Sequence, residues 1–353
     1  MFSFFKKNPA TTHLAEINGK PVEVLPKETL LHAALREGID FPHSCRVGGC
    51  ASCKCRLVDG SVKELTDIGY ILSDAELDQG YILACQSVPT SDVTIEVSLS
   101  EQAQRTRVSA RVVQQERLTH DITHLKLQLL EALDYRAGQY ADLTLDSLPG
   151  VSRSYSFATP PQPDGTLSFF VRKVPGGVFS TEVNDRDLLG QSVTVTGPSG
   201  DFWLRPSDAP IVMIAGGSGL APILAILRGE LARSSRRPVT LLFGARSQQD
   251  LYALDDIREI AQQWGAPFIF TPILSNEAPD TEWQGARGWV TDLIPTLSLT
   301  GSEAYLCGPP AMIDSAVVHL SVAGIERGSI FADRFTTIGD VVKAEDVVSE
   351  LID

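Results

Sequence analysis

Four cysteines, Cys45, Cys50, Cys53 and Cys85, are spaced to hold a small iron–sulfur cluster. The first three follow C-x₄-C-x₂-C and the fourth arrives after a long gap, which is the ligand spacing of a [2Fe–2S] centre. A loop around such a centre presents thiolates and aims backbone N–H groups at the sulfides. Gly48 and Gly49 permit that close approach and any positive φ, while Ala51 and Ser52 keep the wall small. Cys55 falls outside the C-x₄-C-x₂-C…C pattern, so it reads as a small buried residue rather than a ligand. Zinc also takes thiolates, but structural zinc sites usually pair two C-x₂₋₄-C knuckles, and one is present. A disulfide scaffold would spread its cysteines through a small secreted chain. Here five of six lie between Cys45 and Cys85, and metal ligation in a reducing cytosol is the better account.

Two further constellations lie downstream. Arg153-Ser154-Tyr155-Ser156 follows Gly138-Gln139-Tyr140. An Arg pairs bidentately with a diphosphate, a Tyr stacks beside an isoalloxazine, and a Ser hydrogen-bonds its N5 region. Gly176, Gly177, Val178 and Ser180 open a helix whose N–H groups suit a phosphate. R-x-Y-S alone also fits a plain strand; coupled to Gly-Gly-x-x-Ser and Gly197-Pro198 it points to FAD. Next, Gly216-Gly217-Ser218-Gly219 lies between a buried strand and a helix, where a pyrophosphate can approach. It departs from G-x-G-x-x-G, so its weight comes from the strand–loop–helix setting. Cys307-Gly308-Pro309 ends another strand, at the edge where open α/β sheets bind ligands; a buried small hydrophobe accounts for Cys307 about as well. Arg246 and Asp250 follow the second strand. A 2′-phosphate wants a base there and a bare ribose an acid, so the two pull in opposite directions, and NADH is the expected cofactor.

The elements that position these groups fall into three blocks of a 353-residue chain. In residues 1–100, Glu16 to Val24 predicts a hairpin with an Asn-Gly turn, Thr29 to Gly38 a helix, and Val93 to Val97 a strand. A polar linker is expected over 101–107. In residues 108–206 near-regular strands (Val108–Gln114, Ile122–Leu129, Tyr140–Leu145, Leu167–Val174 and Ser192–Gly197) predict a closed or nearly closed antiparallel barrel. Residues 207–335 alternate apolar strands with helices, the pattern of a parallel sheet. The acidic tail, 336–353, suggests one short helix. A net charge of −14 makes nucleic acid or an anionic membrane a poor partner and a basic protein face a better one. There is no apolar run of about 18 residues. Met1 to Lys7 lacks the long apolar core of a signal peptide; it reads as a frayed terminus, with a weak interfacial foothold as the sharper alternative.

With the three motifs in this order, the chain resembles the electron-transfer (reductase) components of bacterial aromatic-ring and hydrocarbon oxygenases. The stretches that carry the resemblance are Phe41 to Cys45, Arg153 to Phe157 through Pro160 to Gly165, Val174 to Ser180, Gly244-Ala245-Arg246 and Phe331 to Phe335. The resemblance implies a plant-type, β-grasp ferredoxin domain, an FAD barrel and an NAD-binding α/β domain. It implies that Tyr140, Arg153, Ser154, Tyr155, Ser156, Val171, Gly176, Gly177, Val178 and Ser180 surround FAD. It places NADH against Gly216, Gly217, Ser218, Gly219, Arg246, Cys307, Gly308 and Pro309, with Phe335 over the flavin and Asp333 beside it. Ser156, Cys307 and Asp333 then stand nearest the redox chemistry, the first two as positioning groups rather than acid or base. The implied partner is an oxygenase; the resemblance leans towards a membrane-bound di-iron hydroxylase and leaves a soluble or Rieske enzyme open. A cytoplasmic monomer is expected, peripheral to a membrane only through its partner. Reversed traffic towards NAD⁺ fits the same motifs, and a redox sensor would use the cluster without flavin or nucleotide.

Overall fold

Asn18 and Gly19 both take positive φ, 49° and 80°, and turn the chain between β1 (His13–Ile17) and β2 (Lys20–Val24). This is the twist-matched hairpin that Asn-Gly predicts, closed in register by Ile17 opposite Lys20. Thr29 caps α1 (Leu30–Arg36), accepting from the His32 N–H at 3.3 Å, and Leu30, Leu31, Ala33 and Ala34 are its buried residues. The chain continues through β3 (Lys54–Asp59), β4 (Val62–Glu64), α2 (Asp74–Asp78), β5 (Tyr81–Leu83), β6 (Ser87–Pro89) and β7 (Val93–Glu96). The sheet runs β2-β1-β7-β3-β5, with β1 and β7 parallel and the other pairs antiparallel. This is the β-grasp arrangement.

The computed structural model describes residues 11–39, 41–43, 48, 51–66, 68–69, 71–72, 74–97 and 105–335. They divide into two units, one ending at residue 97 and one starting at 105. The expected ligands Cys45 and Cys50, the Met1–Lys7 segment, most of the expected linker and the tail after Phe335 lie outside the described residues.

The second unit opens with a curled antiparallel sheet. Its strands are β8 (Thr106–Arg117), β9 (Ile122–Leu129), β10 (Tyr140–Leu145), β11 (Ser152–Ser156), β12 (Thr166–Arg172) and β13 (Ser192–Ser199), with α3 (Val178–Asp185) between the last two. The order is β11-β10-β13-β8-β9-β12, and a bridge between Phe157 and Phe169 draws the two edges together, so the sheet nearly closes. β8 starts at Thr106, inside the expected linker, because Thr106 and Arg107 pair with Gly197 and Thr196.

The remainder is a parallel sheet ordered β17-β16-β15-β14-β18-β19. It comprises β14 (Ile211–Gly216), α4 (Leu220–Ala232), β15 (Val239–Ala245), α5 (Leu254–Gln263), β16 (Phe268–Leu274), β17 (Ala286–Arg287), β18 (Glu303–Gly308), α6 (Pro310–Val322) and β19 (Ile330–Arg334). Every residue of β14 is buried, as its unbroken apolar run predicts for a central parallel strand. One apolar cluster joins Ile122, Ala158, Phe170 and Phe202 of the barrel block to Met213, Ala215, Phe243 and Tyr305 of this sheet. That shared core is why barrel and sheet form one unit.

Candidate functional sites

The cluster region is built by pairing two distant segments. Antiparallel β3 and β5 set Lys54 opposite Leu83, and the Ala84 N–H donates to the Cys53 carbonyl at 3.0 Å. Cys53 and Cys85 are thereby brought to the same end of the sheet, both buried at 3% and 4% exposure. Gln86 is a residue that motif reading missed. Its buried amide donates to the Cys85 carbonyl at 3.0 Å and lies 3.7 Å from the Cys85 sulfur, while its Oε1 accepts from Thr66. Gly48 has φ +74°, and a Cβ there would sit 2.8 Å from Gln86 Cγ. Gly48 therefore approaches Gln86 in a way only glycine allows, which fits close packing beside Cys85. Cys55 packs in the domain core; burial first, and then the nearby Cys85, push its thiol well above the usual range. It stays protonated, unlike a ligand thiolate.

In the barrel, β10 and β11 set Tyr140 opposite Ser156, Asp142 opposite Ser154 and Leu143 opposite Arg153. Strand alternation puts Arg153 and Tyr155 on one face. The Tyr155 ring lies 5.4 Å from that of Phe179, in the first turn of α3. Burial raises the Tyr155 phenol, which stays protonated. α3 has Gly177 at its N-cap and no side-chain cap, so its first N–H groups keep their bonding capacity for an anion. Ser180 does not supply that cap. Its hydroxyl accepts from the Val174 N–H at 3.1 Å and donates to the Gly177 carbonyl at 3.2 Å, shaping the turn from within. A Cβ on Gly177 would meet Ser180 Oγ at 2.6 Å, and Gly176 has φ +72°. Arg153 donates to the Ser152 carbonyl at 2.7 Å and has no carboxylate partner among the described residues, notable in so acidic a chain. Ser156 is 5% exposed as a residue, and its hydroxyl is not among the fully buried side-chain atoms left without a partner, so it keeps access to a ligand. A guanidinium without a carboxylate partner, an uncapped helix start, an aromatic and an accessible hydroxyl together fit FAD.

The other barrel candidates lie around this core. Ser154 donates to Asp142 at 2.6 Å. Tyr140 is buried, and Gly200 lets its ring approach the chain, since a Cβ there would stand 2.8 Å from Tyr140 Cε1. Val178 is 55% exposed at the helix start. The Val171 side chain is fully enclosed in the barrel core. Its carbonyl accepts from Asn184, which also donates to the Ser180 carbonyl and accepts from Thr123, fastening α3 to the sheet. Asn184 is a second residue that the motifs did not flag.

At the C-terminal edge of the parallel sheet, β14 runs through a single 3₁₀ turn, Gly217–Gly219, into α4. The glycines are there for room. A Cβ on Gly219 would overlap the Cys307 carbonyl, one on Gly216 would meet Met312 Sδ at 2.6 Å, and one on Gly308 would meet Met312 Cε at 2.8 Å. Gly217, at φ +55°, faces open space. The Tyr252 hydroxyl donates to the Gly217 carbonyl at 2.9 Å, and its ring packs edge-on against Phe170 of the barrel, 5.3 Å away. Cys307 is fully buried, between Ala215 on one neighbouring strand and Asp333 on the other. Burial and then Asp333 push its thiol up, so it remains protonated. The Phe335 N–H donates to the Gly308 carbonyl at 2.9 Å, which brings the end of β19 to Gly308 and Pro309. Ser218 lies partly exposed in the loop. These glycines and a helix start at a strand's C-terminal edge fit a dinucleotide.

Arg246 and Asp250, opposed in the sequence reading, are bonded to each other. The same Arg246 Nη2 donates to Asp121 of the barrel block at 3.0 Å and lies 3.4 Å from His120 Nε2. Arg172 reaches Asp121 at 3.4 Å. Asp250 also accepts from the Ser247 N–H and hydroxyl at 2.9 and 3.0 Å. Burial pushes the Asp250 carboxyl up, but Arg246 and Ser247 outweigh it and leave it below the ordinary carboxylate value.

Three family descriptions match, each on a different block: a 2Fe-2S iron-sulfur cluster binding domain at residues 15–90, an oxidoreductase FAD-binding domain at 109–203 and an oxidoreductase NAD-binding domain at 213–317. The xylene/toluene monooxygenase electron transfer component of Pseudomonas putida is 42% identical over 346 residues, 95% of this chain and 98% of that protein. The phenol 2-monooxygenase reductase component of Pseudomonas sp. (strain CF600) is 35% identical over 92% of this chain and 94% of that protein. Among solved structures, the Amycolatopsis cytochrome P450 reductase GcoB is similar with a TM-score of 0.67 at 34% identity, covering 92% of this chain and 99% of that one.

Proposed function

We propose, starting from the fact that this chain belongs to the family of iron–sulfur flavoprotein reductase components of oxygenases, that its partner is an oxygenase acting on an aromatic or hydrocarbon substrate. The chain is an oxidoreductase with an NADH, FAD and [2Fe–2S] electron path. The observation that carries the partner reading is likeness over nearly the whole length of both chains to electron-transfer components of monooxygenases. When bound, FAD takes the electron pair of a hydride and releases electrons one at a time, and a [2Fe–2S] cluster holds a single electron.

The residues divide the work as follows. Arg153 and the N–H groups opening α3 hold a diphosphate by charge-assisted bonds. Tyr155 supplies an aromatic face, and the Ser156 hydroxyl is the donor available to the flavin ring. The Gly216–Gly219 loop takes the dinucleotide pyrophosphate. Cys307, a buried thiol beside Asp333, forms the floor of the nicotinamide site and moves no proton. Cys53 and Cys85, with Cys45 and Cys50, are the cluster ligands, and the Gln86 amide steadies Cys85. Among the described residues no helix is long and apolar enough to cross a membrane. The working location is the cytoplasm, where a monomer meets a membrane only through a membrane-bound di-iron hydroxylase.

The purified holoprotein tests this by its visible spectrum. Flavin and iron–sulfur bands should bleach on anaerobic addition of NADH, and hardly with NADPH. Bands that do not respond to NADH would sink the reading. In stopped-flow, Ser156→Ala should slow flavin reduction; an unchanged rate removes Ser156 from its role.

A further inference from the structure

The five-residue charge cluster at the end of β15 is built from both halves of the second unit. Asp121 and Arg172 come from the barrel, Arg246 and Asp250 from the parallel sheet, and His120 lies alongside, its Nδ1 3.6 Å from Asp250. The carboxylates are sheltered, with side-chain exposures of 14% for Asp121 and 10% for Asp250, while Arg246 is 50% exposed. Among the described residues, the side-chain hydrogen bonds of Arg246 all fall on Nη2. Its remaining edge still faces solvent and can bond a neutral hydroxyl, but its charge is already answered by two carboxylates.

The end of the second strand is where an α/β dinucleotide site distinguishes a ribose hydroxyl from a ribose phosphate. We propose that Asp121, reaching across from the flavin barrel, is a coenzyme-specificity residue: with Asp250 it neutralises Arg246, so that a bare 2′-hydroxyl is accepted and a 2′-phosphate is not. Asp121 is a positioning residue and need not touch the cofactor. Counting whole charges, Asp121 and Asp250 balance Arg172 and Arg246. Replacing Asp121 with a neutral isostere leaves a net positive charge at the point where the phosphate would lie. One unit charge a few ångströms away in a half-exposed site changes affinity for a dianion by about tenfold. The inference rests on reading this edge as the NADH site.

The test is calorimetric titration of the FAD-loaded chain with adenosine 2′,5′-bisphosphate and with 5′-AMP. These mononucleotides probe the 2′-phosphate without hydride transfer. In Asp121→Asn the preference for the bisphosphate over 5′-AMP should rise about tenfold, and the ratio of kcat/KM for NADPH to that for NADH should rise with it. The gain should vanish in Asp121→Asn/Arg246→Ala. Asp250→Asn, which removes the other carboxylate, should shift the ratio the same way and serves if Asp121→Asn fails to retain FAD. An unchanged ratio in both single variants, or a gain that survives loss of Arg246, overturns the proposal. If the unaltered chain binds neither mononucleotide, the nucleotide reading of this edge falls and the proposal with it, whereas an unchanged ratio overturns the proposal alone.

Discussion

Two glycine-rich turns open helices in the second unit, and they use glycine for opposite reasons. At Gly176–Gly177 the turn stands largely clear of the rest of the chain. Gly176 is needed for its positive φ of 72°, and the nearest obstacle to a side chain on Gly177 is the Ser180 hydroxyl. At Gly216–Gly219 the obstacles belong to the neighbouring strand end: Gly219 lies on the Cys307 backbone carbonyl, and Gly216 on the Met312 and Pro309 side chains. The first turn offers a helix start by its conformation. The second does so by letting two strand ends, β14 and β18, close on each other. Two glycine-rich turns can thus look alike in sequence yet differ in what a single methyl group would break.

Substitutions can break this contrast. Gly219→Ala should be the most damaging, because the methyl overlaps a carbonyl that cannot move without dragging β18. A loss of roughly 3 kcal/mol or more is expected, read as a collapse of the urea midpoint of the second unit. Gly177→Ala should cost about 1–2 kcal/mol, since a side-chain hydroxyl can yield. Its signature is FAD lost on gel filtration, as the displaced Ser180 no longer shapes the turn. Gly217→Ala, with φ +55° and open space around it, should cost about 1 kcal/mol from backbone strain alone. If Gly217→Ala proved as harmful as Gly219→Ala, packing would not be what distinguishes the second turn.

The smallest effect expected is one of pH. The Asp250 carboxyl lies below its ordinary value of 3.8 when folded. A depressed carboxyl contributes stability above its unfolded pKa and loses it as pH falls through the folded one. The stability difference between the wild-type chain and Asp250→Asn should therefore be constant near neutrality and shrink below about pH 4. Urea midpoints at pH 7, 5 and 3.5 would show it; a difference that grows on acidification would contradict the pairing.

Much of the site was legible because its residues act locally. Asn18-Gly19 makes its own turn, Thr29 caps its own helix, and the apolar run of β14 declares a buried parallel strand. The residues that escaped act at a distance. Asn184 joins α3 to strands β9 and β12, Tyr252 ties a glycine loop to the barrel, and Gln86 carries no metal-ligand signature of its own. β19 is weakly marked as a strand because Asp333 and Arg334 interrupt its short apolar start. Arg246 and Asp250 could not be reconciled from sequence, because the carboxylate that completes their network, Asp121, lies 125 positions from Arg246.

The joint between Asp121 and Arg246 also bears on how such proteins can be recombined. A crossover placed between β13 and β14 looks harmless, since it cuts between two recognisable folds. It would nonetheless separate Asp121 and Arg172 from Arg246 and Asp250. A graft of the nucleotide half onto a foreign barrel inherits half of a charge register, and the recipient must carry an acid at the Asp121 position for the seam to match.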